Sequence, residues 1–124
     1  GVADTCPDAD AGRAVGERVA EGANPDLPTR LYASCAGAAR DTLLAWAAPV
    51  GGTYVFDTNG SDFDTVLAIH AGRCGDELAC DDDGGDGRAS RIELALEQDA
   101  QVTISVSGFR GRNGAWQLNI TPPE

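Results

Sequence analysis

The sequence lacks lysine and methionine, has a single histidine, and contains no apolar run near the 18 residues of a membrane-spanning helix. It begins at Gly1 with no apolar signal segment, so we expect a mature or trimmed product. The nine basic residues are all arginine, which high-GC codon usage explains without reference to function. These absences argue against a transmembrane helix and exclude any catalytic motif that needs two histidines.

The charge balance is strongly acidic, with 20 acidic against nine basic residues and a net charge of −11. A nucleic-acid partner would be repelled by a field of its own sign, so nucleic-acid binding is not expected. The length of 124 residues fits a single domain over residues 1–124. The 16 glycines favour strands joined by tight turns over long helices.

Four cysteines form an even set, and two disulfides are expected if the compartment is oxidising. Three pairings are possible, and we favour Cys74 with Cys80 and Cys6 with Cys35. Cys74 and Cys80 lie on either side of a short local loop. The second disulfide would join an N-terminal arm, residues 1–11, to a later strand. Alternatives are buried reduced thiols or a zinc site formed by Cys74, Cys80 and His70, although no fourth zinc ligand is evident.

Apolar residues alternate with polar ones from residue 42 onward, which places successive side chains on opposite faces of a strand. Turn-forming residues separate these runs. The sequence therefore predicts an all-β fold, an antiparallel β-sandwich of jelly-roll type with about 7–9 strands. The clearest half-buried strands are Gly52–Thr58, Thr65–Ala71, Arg91–Leu96, Val102–Ser107 and Trp116–Thr121.

The N-terminal third is less regular. The segment Gly12–Glu21 fits a strand or one amphipathic helical turn, and we favour the strand. Leu31–Cys35 and Thr42–Ala47 are expected to complete the sandwich. Trp46 is the predicted core anchor, because a large ring buries well where two sheets meet.

Catalysis has little support in the sequence. His70 is expected on the face of its strand opposite Leu67 and Ile69, as a solvent-facing or edge residue. No nucleophile elbow accompanies it, and no metalloprotease motif is possible with one histidine. The prediction is therefore that the protein is not an enzyme and has no catalytic residues.

Aspartates cluster in two predicted loops, and this is the most informative functional signal. Like charges this close repel unless a cation lies among them, and Ca²⁺ takes six to eight oxygen ligands from such loops. The alternative is that these aspartates only form solvated turns. The candidate calcium ligands are Asp57, Asp62 and Asp64 in one loop and Asp81, Asp82, Asp83 and Asp86 in the other.

Three aromatic residues lie in or beside predicted loops, namely Tyr32, Phe63 and Phe109. Their rings could stack on a sugar or a peptide, which makes them the candidate ligand-binding residues. Isolated surface aromatics are also common in proteins without any binding role. The aromatics therefore define a hypothesis about ligand contact and do not identify the ligand.

Several segments between Asp41 and Thr121 carry a family resemblance. Ala48–Thr58 followed by Ser61–Leu67 resembles the bacterial pre-peptidase C-terminal (PPC) domains, and the likeness continues downstream. The matching later segments are Glu77–Asp83, Ser90–Ile92, Val102–Gly108 and Gly114–Ile120.

The resemblance implies a jelly-roll-like sandwich appended to secreted peptidases or surface proteins, with a role in secretion, localisation or substrate engagement. Some relatives bind calcium, and some bind collagen or polysaccharide. This sequence departs from the family in showing no peptidase domain, so we expect either a piece cut from a larger protein or a domain that acts alone. The family's calcium residues have no residue-by-residue match here, so the calcium hypothesis depends on the Asp loops.

The expected function is a non-catalytic binding or targeting module that is secreted, periplasmic or on the cell surface. Its partner would be an extracellular polysaccharide or protein, or a parent secreted protein. The alternative is a structural or assembly protein with no metal.

Overall fold

The computed structural model describes residues 9–23, 41–61, 65–72, 75–81, 90–108 and 115–123, and its regular structure there consists of strands. None of these segments forms a helix that could cross a membrane. The strands are β1 (Ala9–Asp10), β2 (Gly16–Ala23), β3 (Asp41–Ala47), β4 (Gly52–Asp57), β5 (Thr65–Ala71), β6 (Glu77–Asp81), β7 (Arg91–Leu96), β8 (Gln101–Gly108) and β9 (Ala115–Thr121).

The nine strands of the described residues form two sheets. One has the order β1-β3-β8-β5-β6 and the other the order β2-β9-β4-β7. Pairing is antiparallel throughout, except that the two-residue β1 runs parallel to β3. Most sheet neighbours are distant along the chain, so the connections cross between the sheets. The predicted all-β antiparallel sandwich of jelly-roll type, with 7–9 strands, is confirmed.

The core lies between the sheets and contains the inward-facing side chains of both. Trp46 is 2% exposed, and its ring meets the rings of Tyr54 and Phe56 edge to face at centroid distances of 5.1 and 5.4 Å. Its indole Nε1 donates a hydrogen bond to the Ala14 carbonyl at 2.9 Å. Because this bond satisfies the polar end of the ring, Trp46 can be buried without an orphaned donor. The predicted anchor role is confirmed.

The prediction of a half-buried strand is wrong for β5. Its residues from Thr65 to His70 are all buried, and Val66 and Ala68 form a second apolar cluster against which Cys80 packs. The strand lies inside the five-stranded sheet, with β8 on one side and β6 on the other. The half-buried prediction is also wrong for β8, because its outer-facing hydroxyl residues, such as Ser105, are buried as well. Both faces of this part of the sheet are therefore closed to solvent.

The strand favoured for Gly12–Glu21 is present, but it is β2, which starts at Gly16 and contains a register shift between Gly16 and Ala20. Within this bulge Arg18 has φ of 52°, a left-handed conformation that is uncommon for a residue with a side chain. The predicted strand Leu31–Cys35 lies outside the described residues, and so does Cys6 of the N-terminal arm.

Candidate functional site

Two of the predicted calcium ligands are described, and they lie at the same end of the sandwich. Asp57 ends β4 and Asp81 ends β6. Arg91 connects them, because it is the cross-strand partner of Asp57 and its backbone N–H donates to Asp81 Oδ2 at 2.7 Å. The other five candidates, Asp62, Asp64, Asp82, Asp83 and Asp86, lie outside the described residues.

Three buried hydroxyl groups join the bases of the two Asp loops. Thr58 leaves β4, Thr65 opens β5, and Ser90 precedes β7, and all three are fully buried. The Thr58 and Thr65 hydroxyl oxygens are 2.5 Å apart, and those of Thr65 and Ser90 are 3.3 Å apart. We call these three residues the hydroxyl cluster.

One hydrogen bond determines which hydroxyl group donates in each pair of the hydroxyl cluster. The Ser90 hydroxyl donates to the Thr65 carbonyl at 2.8 Å, so the Thr65 hydroxyl must donate to Ser90 and the Thr58 hydroxyl to Thr65. Thr58 Oγ1 also accepts the Ser90 backbone N–H at 2.9 Å, and Thr58 N–H donates to the Ser90 carbonyl at 3.1 Å. Each hydroxyl hydrogen is thereby used, and the residues flanking both loops are held at fixed separation.

Both described aspartates use a carboxylate oxygen for a backbone N–H. Asp57 Oδ1 accepts from Asn59 N–H at 3.0 Å, which closes a side-chain turn, while Asp81 accepts from Arg91. Within the described part of the chain, no group of three histidine, cysteine, aspartate or glutamate residues is placed to hold a metal ion. Asp57 and Asp81 therefore bond backbone N–H groups, as expected if the aspartates form turns, which was the alternative to calcium binding.

His70 is not the solvent-facing or edge residue that the alternation predicted. It is 4% exposed, on a strand inside the five-stranded sheet, and this correction follows from the covered outer face of β5. Its Nδ1 lies 3.1 Å from the Gly75 carbonyl, so this nitrogen carries the hydrogen and donates. The other ring nitrogen, Nε2, is buried and has no hydrogen-bond partner among the described residues. No described hydroxyl or thiol is hydrogen-bonded to His70, so the described residues form no nucleophile and base pair around it.

The remaining site predictions fall mainly on residues that are not described. Tyr32, Phe63 and Phe109 are among these, so aromatic ligand contact stays a prediction. Cys80 is not a free thiol. Cys6, Cys35 and Cys74 lie outside the described residues, and the two favoured disulfide pairings stay predictions.

A polar groove of about 520 Å³ lies on the outer face of the four-stranded sheet, across β2, β9 and β4. Sequence reasoning did not identify it. The only local signal is that the outer positions of β9 carry amides and a hydroxyl in place of charges, a pattern that also fits an ordinary solvated face. The residues that line it with polar side chains are Glu17, Asp57, Asn59, Gln117, Asn119 and Thr121.

Asn119 is the centre of the polar groove, with only 9% of its surface exposed. Its Oδ1 accepts from Arg18 N–H at 2.9 Å and from Gln117 Nε2 at 2.7 Å. Its Nδ2 donates to Asp57 Oδ1 at 2.6 Å and to the Asn59 carbonyl at 3.0 Å. All four hydrogen-bonding positions of the amide are used, so Asn119 fixes the side chains around it.

The comparisons with known proteins agree with this architecture. No protein-family model and no curated protein matches the sequence. Among solved structures, the chain is similar to the pre-peptidase C-terminal domain of a collagenase from Bacillus anthracis, with a TM-score of 0.58 at 8% sequence identity. The match covers 93% of this chain and 96% of that chain. The chain therefore has the fold of a pre-peptidase C-terminal domain, as the resemblance in its sequence predicted.

Proposed function

We propose that the chain is a non-catalytic module of a secreted or cell-surface protein, and that it holds the protein on an extracellular polymer or an envelope component. The observation that carries the proposal is the shared fold, which extends over 93% of the chain to a domain of a collagenase. The burial of the single histidine supports a non-catalytic role, because His70 bonds a backbone carbonyl and has little access to substrate.

A sedimentation assay tests the binding role. The chain is incubated with insoluble chitin, cellulose, collagen fibrils or peptidoglycan, and the protein left in the supernatant is measured. A binding module is expected to be depleted by at least one polymer in a saturable manner. The heat-unfolded chain is the control for non-specific adsorption. Retention in the supernatant with all four polymers would contradict the proposed function.

We further propose that Ca²⁺ bridges the two Asp loops in this module. Support comes from the hydroxyl cluster, because Thr58, Thr65 and Ser90 hold the flanking residues of both loops together. Carboxylates from two adjoining loops would provide the hard oxygen ligands that Ca²⁺ needs. The competing role, in which the aspartates only form turns, is favoured by the bond between Asp57 and Asn59 N–H.

Thermal unfolding in excess calcium and in chelator distinguishes the two roles. An ion that binds only the folded state stabilises it by about 2.7 kcal/mol at a hundredfold excess over Kd, so the unfolding midpoint should rise by several degrees. Asp82→Asn and Asp64→Asn should abolish this rise.

The matched control is Asp76→Asn, which removes one carboxylate from the β5–β6 turn at the opposite end of β5. It should leave the calcium effect intact. Turn-forming aspartates would instead give the same small change with and without the ion. A full calcium effect that survives both loop substitutions would exclude these residues as ligands.

A further inference from the structure

We propose that the polar groove binds a neutral oligosaccharide, with Gln117 and Thr121 as the side chains that contact it. This inference rests on the proposed binding function and gives it a location and a ligand class. The groove is separate from the hydroxyl cluster, because it lies on the outer face of the four-stranded sheet, whereas the cluster is buried between the strand ends.

Hydrogen bonds hold the Gln117 and Asp57 side chains of the polar groove in place. Asn119 is buried and uses all its hydrogen-bonding positions on its neighbours, including Gln117 Nε2 and Asp57 Oδ1. Ser61 adds a second support, because its hydroxyl oxygen accepts the Gln117 backbone N–H at 2.9 Å. Side chains that are already held in place lose little conformational entropy on binding, which favours the modest polar contacts that a sugar makes.

The backbone around the groove is shaped to fit these side chains. A Cβ atom at Gly60 would lie 2.9 Å from Gln117 Oε1, and Gly60 has φ of 100°, so glycine is needed there. Arg18 adopts its left-handed conformation in the bulge of β2, and its N–H bonds to Asn119 instead of the strand ladder. Unfavourable backbone conformations of this kind concentrate at functional sites.

The hydrogen-bonding positions left over match a polyhydroxyl ligand. Among the described residues, nothing accepts the second hydrogen of Gln117 Nε2, and nothing bonds the Thr121 hydroxyl. Glu17, at the exposed rim, adds a further acceptor. Each sugar hydroxyl donates and accepts at once, so a site needs both kinds of group, and this groove presents both.

Other ligand classes fit the groove less well. A polyanion would be repelled by the net charge of −11. A cationic peptide would be drawn to carboxylates, but the guanidinium of Arg18 lies beside Gln117, with its Nε 3.4 Å from Oε1. The volume of about 520 Å³ lies within the range of roughly 300–1,000 Å³ common for small-ligand sites. A short stretch of neutral sugar chain is therefore the ligand that the groove favours.

An NMR titration of the ¹⁵N-labelled chain tests the inference, with the β-1,4 hexamer of N-acetylglucosamine, cellohexaose and maltohexaose as probes. At least one probe is expected to shift the backbone amides of residues 117–121 and the side-chain NH₂ of Gln117. Gln117→Ala should weaken that binding at least tenfold. Thr121→Val, at an exposed position, should weaken it severalfold without disturbing the fold.

The matched control is Gln101→Ala, which removes the same side chain from an exposed position on β8 of the other sheet and should leave affinity within twofold. Absence of shifts with all three probes would overturn the inference. Shifts confined to another surface, or shifts of the groove by hexalysine and not by the sugars, would also overturn it. The sedimentation assay separates the two proposals. If Gln117→Ala sediments with a polymer as strongly as the unsubstituted chain does, the groove is excluded as the binding site, whereas the proposed binding function stands.

Discussion

Replacement of Trp46 by alanine is expected to lower the free energy of unfolding by about 3–5 kcal/mol, the range for large aromatic side chains removed from a core. The ring is 2% exposed and contacts Tyr54 and Phe56 edge to face, so its loss opens a cavity between the two sheets. The bond from Nε1 to the Ala14 carbonyl is lost as well. Urea unfolding followed by far-ultraviolet circular dichroism measures the change.

The control is Trp46→Phe, which keeps most of the aromatic contact and removes the Nε1 hydrogen bond. Its expected loss is smaller, about 1–3 kcal/mol, from partial underpacking and the lost hydrogen bond to the Ala14 carbonyl. The slope of free energy against urea should stay constant in both variants, because the surface exposed on unfolding changes little. A loss below about 1 kcal/mol for Trp46→Ala would contradict the anchor role.

Local pattern was sufficient to predict much of the strand content. The bounds of β5 and β7 are those expected from alternation and flanking turn residues, because strand periodicity and turn chemistry both act over a few neighbours. The same alternation could not predict the burial of His70. A period of two identifies which residues share a face, but whether that face is covered depends on which distant parts of the chain pack over it.

The hydroxyl cluster and the hydrogen bonds of Asn119 could not be predicted from the sequence for the same reason. Ser90 meets Thr58 and Thr65 across 32 and 25 residues of sequence, and Asn119 meets Asp57 across 62. In the sequence, Thr58 and Ser90 look like ordinary turn-flanking residues, and Asn119 looks like an outward position of a closing strand. Their roles follow from strand pairing, since β9 pairs with β4 and β7 pairs with β4 on its other side.

Thr58→Val is expected to lower the free energy of unfolding by about 1–3 kcal/mol, although valine has nearly the same shape as threonine. The substitution removes the Thr58 Oγ1 acceptor of the buried Ser90 N–H and the hydrogen bond between the Thr58 and Thr65 hydroxyls. A buried polar group that loses a hydrogen bond in the interior cannot replace it with one to water, so the loss is not compensated. Urea unfolding in chelator measures this loss free of any contribution from calcium.

The matched control for Thr58→Val is Thr53→Val, the same chemical change at an exposed position of β4, where the expected effect stays within about 0.5 kcal/mol. If calcium bridges the two Asp loops as proposed, Thr58→Val should also reduce the calcium-dependent rise in the unfolding midpoint, because the flanks of the loops lose a shared contact. Thr53→Val should leave that rise unchanged. Equal effects of the two substitutions in chelator would show that the hydroxyl cluster contributes nothing beyond an ordinary surface position, and the physical basis for placing both loops in one site would be lost.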